Sequence, residues 1–92
     1  YAADIRFTPA IAKRLLDCIR NAVEHLHVRG VLHGDLYAHN ILWNPATGEA
    51  VLSDFGAALL TRTLPAEQVA RLQAIEWRAF AHLEEEILSR RV

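Results

Sequence analysis

Ninety-two residues, 52% apolar and 23% charged, with ten Lys and Arg against eleven Asp and Glu, limit the chain to one domain or less. A formal charge of −1 supplies no general field for gripping nucleic acid or an anionic bilayer, and no local basic patch replaces it, so neither partner is expected. Cys18 is the single cysteine and excludes an internal disulfide; no apolar run approaches the ~20 residues of a membrane span, and Tyr1-Ala2-Ala3-Asp4 lacks the regions of a secretory signal. A reducing, cytoplasmic setting is therefore expected. The absence of methionine and the high apolar fraction suit a piece of a larger protein, whose side chains pack against neighbours outside it.

From Thr8 the pattern is helical, because Ile11, Leu15, Ile19, Ala22, Val23 and Leu26 recur at spacings of three and four and form one stripe. Thr8 is placed to cap this helix, Pro9 costs nothing at its first position, and Gly30 suits a left-handed stop. Three short apolar runs follow: Val31-Leu32, Ile41-Leu42-Trp43 and Ala50-Val51-Leu52. The last two flank Asn44-Pro45-Ala46-Thr47-Gly48-Glu49, whose Asn-Pro and Gly carry turn chemistry, so they read as a small antiparallel hairpin. Pro65 opens a second helical region, and Trp77, Phe80, Leu83, Ile87 and Leu88 define the buried side of a final helix. The fold class expected is α+β, mainly helical with one small hairpin.

The chemistry is concentrated between Leu32 and Ile41, in the polar loop His33-Gly34-Asp35-Leu36-Tyr37-Ala38-His39-Asn40, and in Asp54-Phe55-Gly56 directly after the second hairpin strand. A short hairpin brings its ends together, so Asp35, Asn40 and Asp54 are expected to converge. At about 6 Å and an effective dielectric of about 20, two carboxylates repel by about 3 kcal/mol, which calls for a bound proton or a cation. Magnesium suits two carboxylates and an amide oxygen, because it is hard, takes oxygen ligands and completes its octahedron with water and substrate phosphates.

These residues carry a family resemblance. His33-Gly34-Asp35 with Asn40 five residues after the aspartate resembles the catalytic loop of the protein-kinase-like superfamily, and Ser53-Asp54-Phe55-Gly56 resembles its metal-binding DFG element. The likeness extends from Thr8 to Ser89, and the run from His33 to Leu42 is also similar to compact bacterial kinase-like domains. It implies that residues 1–92 are the C-lobe core of a kinase-like domain whose N-lobe lies upstream, with the hairpin set between catalytic loop and DFG. It implies an ATP- and Mg²⁺-dependent phosphotransferase acting on protein Ser, Thr or Tyr hydroxyls. The alternatives are a small-molecule kinase of the aminoglycoside or choline type and a non-catalytic pseudokinase binding module. By the resemblance, Asp35 is the base, Asn40 and Asp54 bind metal and nucleotide phosphates, Leu42 forms the apolar floor under the adenine, and His33 stacks with Phe55.

Several positions depart from that pattern. Gly34 stands where many regulated kinases have an arginine, and Tyr37 where protein kinases place a lysine. Only nineteen residues, 57–75, separate Gly56 from Glu76; within them Pro65-Ala66-Glu67 echoes an Ala-Pro-Glu anchor. Glu76 occupies the position of an aspartate that holds the catalytic-loop backbone. Outside the motifs, His25, His27, His33 and His39 match no zinc spacing, with His33 reading as a packed core histidine and Cys18 as packing. Glu84-Glu85-Glu86 fan across a helix as a solvated face, and Arg14, Arg20 and Arg29 are scattered likewise.

Overall fold

The computed structural model of the chain describes residues 6–36, 40–53, 56 and 58–91. Helix α1 spans Pro9–Val28; the Thr8 hydroxyl accepts the Ile11 N–H at 3.3 Å, and proline sits in the first turn. The helix stops as expected, with Gly30 at φ 76° and its N–H donated to the His27 carbonyl at 3.0 Å. Ala12, Leu15, Leu16, Ile19 and Val23 form its buried stripe. Ile11, Ala22 and Leu26, expected in that stripe, are half-buried at its margins.

Strand β1 (Val31–Leu32) leads into the polar loop, and β2 (Ile41–Trp43) and β3 (Ala50–Leu52) form the expected hairpin, pairing Ile41 with Leu52, Leu42 with Val51 and Trp43 with Ala50. Asn44 organises the turn: its side-chain oxygen accepts the Ala46 N–H at 2.9 Å and its carbonyl accepts the Gly48 N–H at 2.8 Å. The sequence pattern gave β1 no partner, yet β4 (Leu59–Leu60) pairs with it antiparallel, and the Thr61 N–H extends the ladder to the Gly30 carbonyl at 2.8 Å.

One continuous helix, α2 (Ala66–Ser89), replaces the two expected helical segments, with Pro65 at its N-cap position. Proline blocks the helix upstream but nothing after it breaks the run, so the final helix begins there. Phe80, Leu83 and Ile87 are buried as expected, Trp77 is half-buried, and Leu88 lies outside the buried face. Seen down the helix, Leu83 and Ile87 are one turn apart, whereas Leu88 is rotated about 100° from Ile87.

The core lies between α1 and α2 and closes on the hairpin through Ile41, Trp43, Ala50 and Leu52. Phe7 completes it at the start of the described chain: its N–H donates to the Arg90 carbonyl at 2.7 Å, and its ring meets Trp43 edge-on at 5.0 Å between centroids. Arg20 does not remain a scattered surface charge. It bridges Asp17 at 3.1 Å and Glu84 at 3.2 Å, and its guanidinium lies 5.3 Å from the Phe80 ring centre, tying the two helices. Among the described residues, no helix is long and apolar enough to cross a membrane.

Candidate active site

The loop between β1 and β2 begins at His33, which is fully buried and hydrogen-bonded through both ring nitrogens. Nδ1 accepts the Asp35 N–H at 3.2 Å, so the ring proton sits on Nε2, which donates to the Ser53 carbonyl at 2.8 Å. One imidazole therefore orients the residue after Gly34 and grips the chain leaving β3. The reading of His33 as a core histidine agrees with this placement; its expected partner Phe55 lies outside the described residues.

Asp35 and Asn40 come together. The Asn40 side-chain nitrogen donates to the Asp35 carbonyl at 2.7 Å and to Asp35 Oδ2 at 3.1 Å, so the amide turns its nitrogen, and not its oxygen, toward the aspartate. Asn40 is nearly buried, whereas Asp35 keeps partial access to solvent. The Asn40 carbonyl then accepts both the Ser53 N–H at 2.7 Å and the Ser53 hydroxyl at 2.9 Å. The loop and the strand exit are thus joined at Asn40. Asp54, the third expected member, lies outside the described residues, as do Tyr37 and His39; its predecessor Ser53 is the residue docked on Asn40.

Beneath the loop, Glu76 of α2 supplies a buried carboxylate. Oε1 accepts the His33 N–H at 3.1 Å, Oε2 accepts the Gly34 N–H at 2.9 Å, and His27 Nε2 of α1 lies 2.9 Å from Oε1. Two amides that no strand ladder satisfies are held by one side chain from 42 and 43 positions away. Gly34, at φ 85°, is in the left-handed region that a residue with a Cβ enters at a cost. His27 also meets Trp77 edge-on at 5.5 Å, and Trp77 meets Phe80 at 5.6 Å. The sequence pointed to Glu76 for this position and weighed His27 only for a zinc spacing that it does not match, not as a partner of Glu76.

Leu42 projects from the hairpin on its outward face with 59% of its surface exposed, and its cross-strand partner Val51 is 60% exposed beside it. Two aliphatic side chains thus share an uncovered strip on one face of the hairpin. Among the described residues, no group of three or more His, Cys, Asp or Glu side chains is arranged to hold a metal ion.

A loop clamped by α2 and followed by a hairpin whose exit is docked on it agrees with the α+β kinase-like fold that the sequence resemblance implies. The model of the protein kinase domain matches residues 1–86, and the chain belongs to this family. It is 38% identical over 77 residues to "Cyclin-dependent kinase C-2 C" of Arabidopsis thaliana, which covers 83% of this chain and 12% of that protein. It is 44% identical over 46 residues to "Probable cell division control protein 7 homolog 2" of Encephalitozoon cuniculi, or 50% of this chain and 13% of the relative. With "CTD kinase subunit alpha" of Schizosaccharomyces pombe it shares 43% identity over 56 residues, 61% of this chain and 9% of the relative. The chain therefore spans about an eighth or less of the length of these relatives. No solved structure matches it significantly.

Proposed function

We propose that this chain is the C-lobe core of an ATP- and Mg²⁺-dependent phosphotransferase acting on protein hydroxyls, completed by an N-lobe encoded upstream and working in the cytoplasm, where ATP and Mg²⁺ are supplied. The observation that carries the reading is the Asp35–Asn40 pair, bonded at 2.7 and 3.1 Å within a loop that Glu76 and His33 hold on both sides.

Asp35 accepts the proton of the acceptor hydroxyl as the acceptor oxygen bonds to the terminal phosphorus of ATP. The bond from that phosphorus to the bridging oxygen breaks, and ADP leaves with the electron pair. The partial exposure of Asp35 suits a group that must meet a substrate. The donor set of Asn40 and Asp54 fits magnesium, because it offers hard oxygens, and the Asn40 amide already commits its nitrogen to Asp35. Bound there, Mg²⁺ supplies positive charge to the phosphate oxygens. The protein's share is positioning: a loop held by buried bonds keeps Asp35 oriented without reorganisation during transfer. Leu42, with Val51 beside it, offers an apolar floor of the kind a purine base covers.

In the full-length protein, Mg²⁺ with ATP is expected to raise the melting temperature, and Asp54→Ala to abolish that rise. Asp35→Asn is expected to keep the rise while turnover falls at least about a hundredfold. A rise that survives Asp54→Ala removes the metal assignment, and turnover that survives Asp35→Asn removes the base. A wild-type protein with neither response is a non-catalytic binding module.

A further inference from the structure

Four residues close a ring of hydrogen bonds between the polar loop and the exit of β3. The Asp35 N–H donates to His33 Nδ1 at 3.2 Å, and His33 Nε2 donates to the Ser53 carbonyl at 2.8 Å. Ser53 in turn donates to the Asn40 carbonyl, and Asn40 Nδ2 returns to the Asp35 carbonyl at 2.7 Å and to Oδ2 at 3.1 Å. Each member donates to the next, a head-to-tail order in which every bond polarises its neighbour. Asp35 is the proposed base, Asn40 a proposed metal ligand and His33 a packed imidazole. The Ser53 side chain is the member without a role.

Ser53 makes two bonds to Asn40 where continuing the hairpin needs one. Its N–H meets the Asn40 carbonyl at 2.7 Å, next to the pair Ile41 and Leu52, and its hydroxyl meets the same oxygen at 2.9 Å. A carbonyl oxygen has two lone pairs, so both acceptor places on Asn40 are taken. Serine hydroxyls commonly turn to backbone groups close by in sequence, whereas this one crosses 13 positions to the loop. We infer that Ser53 is a positioning residue, whose hydroxyl fixes the Asn40 main chain so that the Asn40 side-chain oxygen is held for a divalent cation. This rests on Asn40 being a metal ligand of the phosphotransferase proposed above. An amide is planar: with its nitrogen held by two Asp35 oxygens and its main chain by two Ser53 donors, the direction of its oxygen is set. Losing the hydroxyl loosens one of those two ends, and a ligand whose supporting bonds are lost binds its metal less tightly.

The test uses the full-length protein with saturating ATP and titrates free Mg²⁺ against the rise in melting temperature. Ser53→Ala keeps the N–H bond and removes the hydroxyl, and the Mg²⁺ concentration at half the full rise is expected to increase about threefold to tenfold. Ser53→Thr keeps a hydroxyl and is expected to hold the half-point of the wild type. Ser53→Cys nearly keeps the side-chain volume but offers only a weak donor. It is expected to shift the half-point as Ser53→Ala does, and it carries the test if the alanine variant does not fold. An unchanged half-point in Ser53→Ala or Ser53→Cys overturns the inference, even where the melting temperature without ligand has dropped, because the hydroxyl then serves stability alone. The same increase in Ser53→Thr overturns it too. Each of these results leaves the phosphotransferase proposal standing, since the wild-type rise persists; a wild type with no rise overturns both.

Discussion

Two carboxylate oxygens on Glu76 serve three groups at once, the amides of His33 and Gly34 and the His27 imidazole, all within 3.1 Å. The bond to each amide is charge-assisted, buried at His33 and partly buried at Gly34, so removing the charge leaves donors without equivalent acceptors. Glu76→Gln keeps the shape but turns a donor nitrogen toward one N–H. It is expected to destabilise the full-length protein by about 1–3 kcal/mol, read as a lower urea midpoint at unchanged slope. The same scale explains Gly34. At φ 85° a Cβ meets its own backbone, so Gly34→Ala is expected to lower stability by about 1–2 kcal/mol in the same titration. Sequence alone marked Gly34 as the replacement of an arginine; the structure adds that glycine also relaxes this backbone.

At the scale of elements, α1 and the hairpin were legible from residues a few positions apart. Thr8 and Gly30 set the helix ends through bonds to their near neighbours and Pro9 through its fixed φ, and Asn44 set the turn through Ala46 and Gly48. Gly48 adds a constraint that no local pattern contains: at φ 79°, a Cβ there would lie 3.0 Å from Arg14 Cβ and 3.1 Å from the Ile11 carbonyl oxygen of α1. Gly48→Ala is expected to cost about 1–2 kcal/mol from backbone strain, with crowding against α1 adding to it. Its melting temperature should drop accordingly. The β1–β4 pairing was not legible, because two-residue strands leave no alternation to count and their partner comes almost thirty residues later. The division of α2 into two helices failed for a different reason. Apolar spacing is weak over Ala66–Ile75, whose solvent-facing turns are carried by continuity with the buried half.

For the whole molecule, the core between α1 and α2 sets the position of the loop, because Glu76 reaches it from the helix that Phe80, Leu83 and Ile87 anchor. Ile87→Ala empties a fully buried position and is expected to cost about 2–5 kcal/mol, measured by denaturation of the full-length protein. It lies far along α2 from the loop, so any loss of activity should follow the unfolded fraction and disappear at temperatures where the variant is fully folded. Arg20 contributes at this scale by packing its guanidinium near Phe80 while joining Asp17 to Glu84, a tie between helices that charge counting along one helix did not disclose.

The amino-acid sequence by itself determined the ends of α1, the hairpin and its turn, the α+β class, and the pairing of Asp35 with Asn40, five residues apart in one loop. Each depends on caps, φ preferences and spacing that act within one or two turns of chain. Tertiary structure alone decided that His27 and Glu76 meet, that β4 closes on β1, and that Phe7 docks against Arg90 and Trp43. Those contacts join residues about thirty to eighty positions apart. Their existence depends on how whole elements pack, and packing is a property of summed buried surfaces that no short stretch of residues encodes.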